Sequence, residues 1–449
     1  MNPCIASHGD MMVIHMRTTG FIALSILVML FITMPGVAQE PAAVDDVSMV
    51  VPAGNAADNW PRWRGPSGQG WVSGDHYPDT WSGTDNVQWK VPVPGDGNSS
   101  PIVWGDYIYL TTAYDRGQRR SVLAFQRSDG RQVWECFAPD ATPQRAHRKN
   151  GHASATPTTD GKYIYTYFGS HGLMAVDMKG NLAWHTDLGA IVTVHGAACS
   201  PLLYKDMVII VQELRSGNKS FIGAFDKNTG HERWRTIRTG SRGWYSPIAI
   251  HAGNRDEIIV SGTDQVQAYD PDTGQELWTA RGNTWEVIPT PAVGLGMLFC
   301  SSGREGPTLA IRPGGSSDVT DTHIAWSISQ DSPFVPSPIL YENNLYIIND
   351  MAALASCIDA RSGRILWQGK IGQARREGFS ASPVAVDDNI YFTNDDGDTF
   401  VLKAGPEFQL LHVNSLGEPV RASPALVDGR WYWRTVKHLI AIGQPGSRQ

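Results

Sequence analysis

The sequence predicts an all-β fold of small antiparallel sheets, and three observations support that prediction. A phrase of the form A-x-D-x-x-T-G-x-x-x-W returns along the chain, with its clearest copy, AYDPDTGQELW, at residues 268–278. A Ser/Thr-Pro pair returns at the start of successive apolar strands. Only 18% of the residues are charged, while 46 are Gly and 28 are Pro, and this composition suits a strand-rich globular protein.

Two markers give the length of the repeat. The first is the Pro of the Ser/Thr-Pro pair: Pro101, Pro157, Pro201, Pro247, Pro291, Pro338, Pro383 and Pro424. The second is the Trp that follows the turn: Trp89, Trp134, Trp184, Trp234, Trp278, Trp326 and Trp367, with Leu410 or Leu411 in its place in the next unit. Both series give eight units of about 45 residues, the length of a propeller blade. We therefore predict an eight-bladed β-propeller with four antiparallel strands in each blade, over residues 86–443.

The fourth unit shows the predicted blade most clearly. Short runs rich in β-branched and apolar residues predict four strands at 246–250, 257–260, 265–269 and 276–280. In the turn DPDTG, Asp270 accepts backbone N–H bonds, Pro271 presets φ and Gly274 takes a left-handed position. The fifth unit has a longer connection, the seventh lacks both Asp and Trp, and the first has Gln126 where Asp is expected, so these three blades are expected to be less regular.

The ends of the repeat predict how the ring closes. The eighth unit shows three strands, in ASPALV, RWYWRT and HLIAIG, before the chain ends. Residues 86–91, NVQWKV, read as an outer strand without inner strands before it. Pairing the two completes the eighth blade and covers an edge that is otherwise an aggregation hazard.

The residues before the ring divide into two segments. Residues 1–38 predict a secretory signal peptide, because Arg17 precedes the apolar run 21–34 and the small-residue site 36–38. That run is short for a membrane span, which needs roughly 20 residues, and an uncleaved anchor is the alternative. We expect an exported, periplasmic or secreted monomer with no membrane span after cleavage. Residues 39–85 are predicted to be an extension strapped to the propeller, and 444–449 a tail.

Cysteine usage and charge limit the function classes. The exported chain carries four cysteines at different strand positions, Cys136, Cys199, Cys300 and Cys357. An oxidising compartment allows three full pairings among them, and buried free thiols are the other interpretation. The net charge is −7 and no block of five Lys/Arg occurs, so nucleic acid is not expected as a partner.

The recurring phrase resembles the tryptophan-docking repeat of the pyrroloquinoline quinone (PQQ)-like β-propeller superfamily, over about residues 87–443. That superfamily includes quinoprotein alcohol dehydrogenases and BamB, a lipoprotein of outer-membrane barrel assembly. The resemblance implies that a dehydrogenase of this type has adjacent cysteines near its quinone, a calcium site and an aspartate base. This sequence has no Cys-Cys pair, and it also lacks the lipid-attachment cysteine of BamB. No cofactor is therefore predicted, and PQQ with calcium is the alternative.

The loops that end at each Ser/Thr-Pro gather around one mouth of a propeller channel. Charged and aromatic residues five or six positions upstream form a candidate binding rim: Asp96, His152, His195, Arg242, Trp244, Trp285, Glu286, Glu377 and Glu418. The other interpretation is that these are solvated loop residues. The first loop is long and basic at residues 144–151, QRAHRKNG, and would attract an anionic ligand or an acidic partner unless it is only a mobile surface loop.

Two further stretches contain residues that could bind a metal ion or a partner. TNDDGDTF, residues 393–400, does not have the spacing of an EF-hand and fits a hairpin turn. NWPRWRGP, residues 59–66, is either a strap or an exposed recognition segment. No GxSxG, HExxH or P-loop occurs. The sequence thus predicts a non-catalytic binding or scaffold propeller that recognises a protein or envelope ligand, and the alternative is a PQQ-dependent oxidoreductase acting on an alcohol or sugar.

Overall fold

The computed structural model describes residues 46–52, 54–74, 76–193, 195–215, 219–240, 242–303, 306–374 and 378–444. The predicted signal peptide and tail lie outside this range, apart from Gln444. The described residues form eight sheets, each built on four antiparallel strands. In seven of them the four strands follow in chain order, and the eighth takes its outer strand from residues 87–92. This confirms the predicted eight-bladed propeller. In the described part of the chain no helix is long and apolar enough to cross a membrane.

The first four blades have the following strands. Blade 1 contains Ile102–Trp104, Tyr107–Tyr114, Arg119–Gln126 and Gln132–Phe137. Blade 2 contains Thr158–Thr159, Tyr163–Tyr167, Leu173–Asp177 and Leu182–Thr186. Blade 3 contains Leu202–Tyr204, Met207–Gln212, Ser220–Asp226 and Glu232–Arg238. Blade 4 contains Ile248–Ala252, Arg255–Ser261, Gln265–Tyr269 and Glu276–Arg281.

The other four blades follow the same order from the channel outwards. Blade 5 contains Ala292–Gly294, Met297–Ser301, Thr308–Ile311 and Ile324–Ile328. Blade 6 contains Ile339–Tyr341, Asn344–Asn349, Leu354–Asp359 and Ile365–Lys370. Blade 7 contains Val384–Val386, Asn389–Thr393, Asp398–Lys403 and Leu410–Ser415. Blade 8 contains Ala425–Val427, Arg430–Arg434, His438–Gly443 and, as its outer strand, Val87–Pro92.

The remaining elements are short. Three strands lie at Val47–Met49, Trp71–Val72 and Ser317–Asp318. Single 3-10 turns lie at Gly54–Asp58, Asp115–Gly117 and Gly169–His171, and one α-helical turn lies at Thr320–His323.

The ring closes as the sequence predicts. Strand Val87–Pro92 pairs antiparallel with His438–Gly443, and Trp89 stands opposite Ala441. The Gln88 side-chain amide adds a hydrogen bond of 2.7 Å to the carbonyl of Gly443. Because the first strand of the ring completes the last blade, the two ends of the propeller are held together by main-chain hydrogen bonds.

The Ser/Thr of each Ser/Thr-Pro pair links neighbouring blades. The hydroxyl oxygen of Thr156 accepts a 2.9 Å hydrogen bond from the backbone N–H of Ser100, and the N–H of Thr156 donates to Ser200 in turn. The same link joins further pairs: Ser200 to Ser246, Ser246 to Thr290, Thr290 to Ser337, Ser337 to Ser382, and Ser382 to Ser423. We call these eight residues the hydroxyl ring. Seven links between buried groups hold the blades at a common radius.

The repeated Trp joins blades at the outer side. Its indole N–H donates to a backbone carbonyl in the turn of the following blade, at 2.9–3.3 Å, for Trp89, Trp134, Trp184, Trp234, Trp326 and Trp367. For the first five of these Trp residues, a Gly of that turn lies against the indole ring. Gly130, at φ 74°, shows why: a Cβ there would come within 2.6 Å of the Trp89 ring. The Gly of the repeated phrase is therefore required by both its conformation and its neighbour.

Blades 5 and 7 depart from the pattern as expected, whereas the turn of blade 1 receives Trp89 like the turns of the regular blades. Before the outer strand of blade 5, the longer connection adds strand Ser317–Asp318 in parallel to the outer strand of blade 4. This covers Trp278, which is fully buried and donates to Glu257 at 2.8 Å instead of to the next blade. Blade 7 lacks a docking Trp, and Trp81 of the extension packs between blades 7 and 8, against Tyr391 and Trp431.

The N-terminal extension lies inside the central channel. Strand Val47–Met49 pairs with the inner strand of blade 4, and strand Trp71–Val72 pairs with that of blade 7. Between them, residues 60–70 bond to inner strands of other blades: Trp60 with Val103 of blade 1, and Gln69 with Val293 of blade 5. We call residues 46–72 the plug. It fills the channel at the level of the inner strands.

Buried arginines hold the plug in place through main-chain carbonyls. Arg64 donates to Gln69 at 2.6 Å and to Pro338, at the start of blade 6, at 2.8 Å. Arg62 donates to Pro66 at 2.9 Å. Burial lowers the pKa of Arg62 to about 10 and that of Arg64 to about 9. The Trp- and Arg-rich stretch 59–66 is therefore largely buried inside the ring.

The four cysteines are free thiols buried in different blades. Burial raises the pKa of Cys199 and of Cys300 to about 12. These groups behave as small apolar core residues, because a thiol with a high pKa and no exposure is unreactive.

Replacing one residue of the hydroxyl ring should destabilise the propeller. Ser337→Ala leaves the buried N–H of Thr290 without its acceptor, so we expect the free energy of unfolding to fall by about 1–3 kcal/mol. Ser128→Ala, in an exposed turn, is the matched control and should change it by less than about 0.5 kcal/mol. Urea denaturation measures both. Equal midpoints for the two variants would contradict the role of the ring.

Two Gly→Ala variants separate the destabilisation caused by overpacking against Trp89 of the closing strand from that caused by a left-handed backbone conformation. Gly130 and Gly105 both have positive φ, 74° and 56°, but only at Gly130 would a Cβ meet another residue, the ring of Trp89. Both variants incur the left-handed penalty. Gly130→Ala should cost about 1–3 kcal/mol more because it also overpacks the docking site. Thermal unfolding of both proteins tests this, and a smaller loss at Gly130 than at Gly105 would refute it.

Candidate functional site

A cavity of about 260 Å³ lies at one mouth of the channel, above the plug. All eight residues of the hydroxyl ring line it. Its floor is Trp63 of the plug, and Trp244, Ile288, Phe334 and Val335 add apolar surface. The cavity follows directly from the fold, because the loops between successive blades converge where the Ser/Thr-Pro pairs begin the inner strands.

The basic loop of residues 144–151, which we call the flap, lies across this mouth. Its backbone is tied on one side, where the N–H of His147 and the amide of Asn150 both donate to the carbonyl of His195 at 2.9 Å. Asn98 donates to the carbonyls of Lys149 and Asn150 at 2.7 and 2.8 Å. The Lys149 ammonium lies 2.9 Å from the carboxylate of Asp395 in blade 7. The flap thus bridges blades that are not neighbours.

Aromatic and charged side chains cluster beside the flap. The ring of His195 lies 5.3 Å from that of Trp244 and 5.4 Å from that of His147, measured between centroids. The carboxylate of Glu286, only 3% exposed, lies 3.9 Å from His195 and 3.7 Å from Arg242.

An exposed aromatic residue completes this side of the mouth. The Arg242 guanidinium stacks over the ring of Trp285 at 4.8 Å, and Trp285 is 46% exposed. The result is a polar mouth with one prominent aromatic side chain.

The structure brings five of the rim residues that the sequence indicated into this one cluster: His195, Arg242, Trp244, Trp285 and Glu286. His195 and Trp244 line the cavity itself. Glu377 lies outside the described residues. Whether these side chains bind a ligand stays a prediction.

Three other rim residues have contacts outside this cluster. Asp96 pairs through its backbone with Ala113. His152 lies 3.3 Å from the Arg120 guanidinium, and burial together with that charge lowers its pKa. Glu418 contacts Lys90 and His438; burial raises its pKa, but these partners and Thr435 outweigh the effect and lower it. A fixed offset before the Pro therefore places a residue near the mouth without giving the direction of its side chain.

Several cavity residues were not singled out from the sequence as site residues. In the sequence, the residues of the hydroxyl ring mark only the length of the repeat, and Trp63 belongs to a stretch that predicts a strap or an exposed recognition segment. Arg421 lines the cavity in the loop before Ser423. Its position two residues before a Ser-Pro pair is the sequence signal for it.

A buried carboxyl group lies beneath the flap. Asp350 is 1% exposed and accepts a 2.8 Å hydrogen bond from the N–H of Phe334, while its second oxygen has no partner in the described chain. Burial raises its pKa to about 6, although the Phe334 N–H and the nearby charge of Lys149 act in the opposite direction.

The stretch 393–400 forms a hairpin turn. Asn394 accepts the N–H groups of Asp396 and Asp398, and Asp395 pairs with Lys149. Across the described residues, no group of three or more His, Cys, Asp or Glu side chains is arranged to hold a metal ion.

Comparison with known proteins agrees with this architecture. The family model described as outer membrane protein assembly factor BamB matches residues 81–214 and 218–406. The crystal structure of BamB from Moraxella catarrhalis is similar to the chain with a TM-score of 0.56 and 17% identity, covering 80% of this chain and 97% of that one. No curated protein sequence matches.

Quinoprotein dehydrogenases share the fold as well. Quinohemoprotein alcohol dehydrogenase from Comamonas testosteroni has a TM-score of 0.62 and 13% identity, with coverage of 88% of this chain and 82% of that one. A europium-containing methanol dehydrogenase has a TM-score of 0.60 and 13% identity, covering 85% and 90%. At these identities the likeness to solved structures shows the fold alone.

The raised pKa of Asp350 predicts a pH dependence of stability. Because the folded state holds this proton up to about pH 6, whereas an unfolded Asp releases it near its ordinary pKa of about 3.9, stability falls as pH rises through that window. Asp350→Asn removes this component, and its carbonyl oxygen can still accept the Phe334 N–H. Wild type should therefore lose about 1–3 kcal/mol relative to the variant between pH 4 and pH 7, measured by urea denaturation. Parallel pH profiles would contradict this assignment.

Proposed function

The chain belongs to the family described as outer membrane protein assembly factor BamB, and we propose that it is an exported, non-catalytic binding propeller that recognises a protein or envelope ligand at the channel mouth. The observation that carries this proposal is that the plug closes the channel from within. A binding surface is left at the mouth formed by the flap, the hydroxyl ring and the cluster around Glu286.

The outer part of the mouth is suited to a protein partner. Trp285 is nearly half exposed, and its ring is held by the Arg242 guanidinium. Trp and Arg are the side chains that most often dominate binding energy at protein interfaces. The buried carboxylate of Glu286 faces Arg242 and His195, so the rim keeps its shape before a partner arrives.

Export is proposed from the sequence of the first 38 residues, which lie outside the described range. A cleaved apolar segment would release the propeller as a monomer into the periplasm or the medium. The net charge of −7 agrees with the expectation that nucleic acid is not the partner.

A PQQ-dependent oxidoreductase is the second candidate, because Trp63 and Trp244 offer aromatic surface to a flat ring. When bound, the quinone would supply the oxidising chemistry. The described lining residues, however, include no Asp or Glu, so no carboxylate there balances the charge of a calcium ion, and the Asn98 and Asn150 side-chain amides donate to backbone carbonyls. Among the described residues the cavity therefore does not fit a calcium-held quinone, and addition of PQQ with calcium should give no dye-linked oxidation of alcohols or sugars.

The partner proposal is tested by cross-linking the full-length protein in its native cells. Trp285→Ala should reduce the yield of a cross-linked species at least tenfold, because truncation of an interface hot spot costs about 2 kcal/mol or more. Leu182→Ala is the matched control, since Leu182 is 43% exposed at the start of the outer strand of blade 2, the end of that strand that faces away from the mouth. It should cross-link like wild type. The same yield from all three proteins, or no cross-linked species from any, would reject the proposal.

A further inference from the structure

The hydroxyl ring presents hydrogen-bond donors to the cavity. A Ser or Thr hydroxyl has one proton to donate besides its two lone pairs. In the ring, a lone pair accepts the N–H of the neighbouring blade. The hydroxyl of Thr290 donates to the carbonyl of Ser246 at 3.4 Å. The hydroxyl protons of the other seven members have no acceptor within the described residues: Ser100, Thr156, Ser200, Ser246, Ser337, Ser382 and Ser423. Ser380, which also lines the cavity, has no hydrogen-bond partner there either.

The charges around the cavity leave one cation uncompensated. Lys149 and Arg421 are the cationic Lys and Arg residues of the lining, and no carboxylate lines it among the described residues. Lys149 is paired with Asp395 at 2.9 Å. Arg421 is half-buried, and its guanidinium forms no ion pair or hydrogen bond with any part of the chain that the structure describes. A guanidinium offers a planar fork of donors that matches a carboxylate.

The nearby carboxylates are engaged elsewhere. Glu286 faces His195 and Arg242, and Asp350 accepts the N–H of Phe334. Neither is a lining residue. Among the residues that the structure describes, the lining therefore combines hydroxyl protons that have no acceptor with one guanidinium that has no partner. This combination is complementary to an anion with several oxygen acceptors.

The shape of the cavity limits the size of that anion. The floor is closed by Trp63 and the flap covers part of the opening, so about 260 Å³ is available, just below the usual range of ligand pockets. Trp63, Trp244 and Phe334 supply apolar surface beside the donors. A small ligand, or the end of a longer chain, with a charged part and an apolar part fits this combination.

We propose that the cavity binds an organic carboxylate. Arg421 holds the carboxylate, the hydroxyl ring donates to its oxygens, and the two tryptophans pack against the apolar part. The proposal rests on the binding function proposed above and names its ligand chemistry. A carboxylate of this kind is carried either by a free small acid or by the C-terminus of a partner's chain.

Calorimetric titration of the full-length protein tests the proposal with two probe pairs. Phenylacetate is compared with phenylacetamide, its neutral analogue, and acetyl-Gly-Gly-Phe with the corresponding C-terminal amide. Each acid should bind with one site, and each amide at least tenfold more weakly, because the charge-assisted hydrogen bonds to Arg421 are lost. Tighter binding of the peptide acid would assign the carboxylate to a partner's chain end, and tighter binding of phenylacetate to a free acid.

Variants of Arg421 test whether the cavity recognises the negative charge of the carboxylate through this side chain. Arg421→Gln should weaken both acids at least tenfold and leave the amides unchanged. Arg421→Lys, which keeps the charge without the fork, should give an intermediate affinity. Arg131→Gln, an exposed arginine in an outer turn of blade 1, is the matched control and should bind like wild type. Urea midpoints of all variants confirm that they are folded.

The proposal is overturned if acid and amide bind alike, if Arg421→Gln leaves the affinity for the acids unchanged, or if neither acid binds in the millimolar range. These outcomes are separate from those for the partner proposal. Cross-linking that depends on Trp285, together with no carboxylate binding, rejects only the ligand chemistry. Carboxylate binding without a Trp285-dependent partner rejects only the protein partner.

Discussion

The hydrogen bond from the backbone N–H of one ring residue to the hydroxyl of the next is the interaction on which the rest of the structure depends. Seven such hydrogen bonds join each blade to the next one along the chain, from blade 1 to blade 8. Each of them lies between buried groups. A buried N–H without an acceptor is costly, so each blade is held at the radius where its hydroxyl reaches the neighbour. The Pro that follows has no N–H and begins the inner strand without needing a further acceptor. The contacts that assemble the ring therefore also form the lining of the channel mouth.

The plug occupies the channel among the inner strands, so the open space described here lies at one mouth. Its residues replace the water or ligand that would otherwise satisfy the inner strands, and they do so with main-chain pairing at blades 4 and 7 and with the side chains of Arg64 and Gln69 at blades 6 and 5. Trp63 then closes the floor of the cavity. The same extension continues to Trp81, which packs between blades 7 and 8. A segment that looked like a simple strap therefore shapes both the core and the candidate site.

The mouth combines rigid and adjustable parts. Glu286 is held between Arg242 and His195, and the flap backbone is tied to Asn98 and to the loop of His195. The Lys149 ammonium pairs with Asp395 and joins the flap to blade 7.

The sequence by itself determined the features that repeat at a regular interval. The number of blades, the strand Val87–Pro92 that completes the last one, and the Trp and Gly of each turn are all readable because each blade solves the same local packing problem. Only the tertiary structure decided where the unique segments go. Residues 59–66 are not part of a repeat, so no periodicity predicts that they lie inside the channel. In the same way, the sequence of the turn that contains Asp395 does not predict its ion pair with Lys149. Such contacts join residues far apart in the chain, and the direction of a loop side chain such as His152 or Glu418 depends on neighbours from other blades. Local patterns specify the blades, whereas the site is formed by contacts between them.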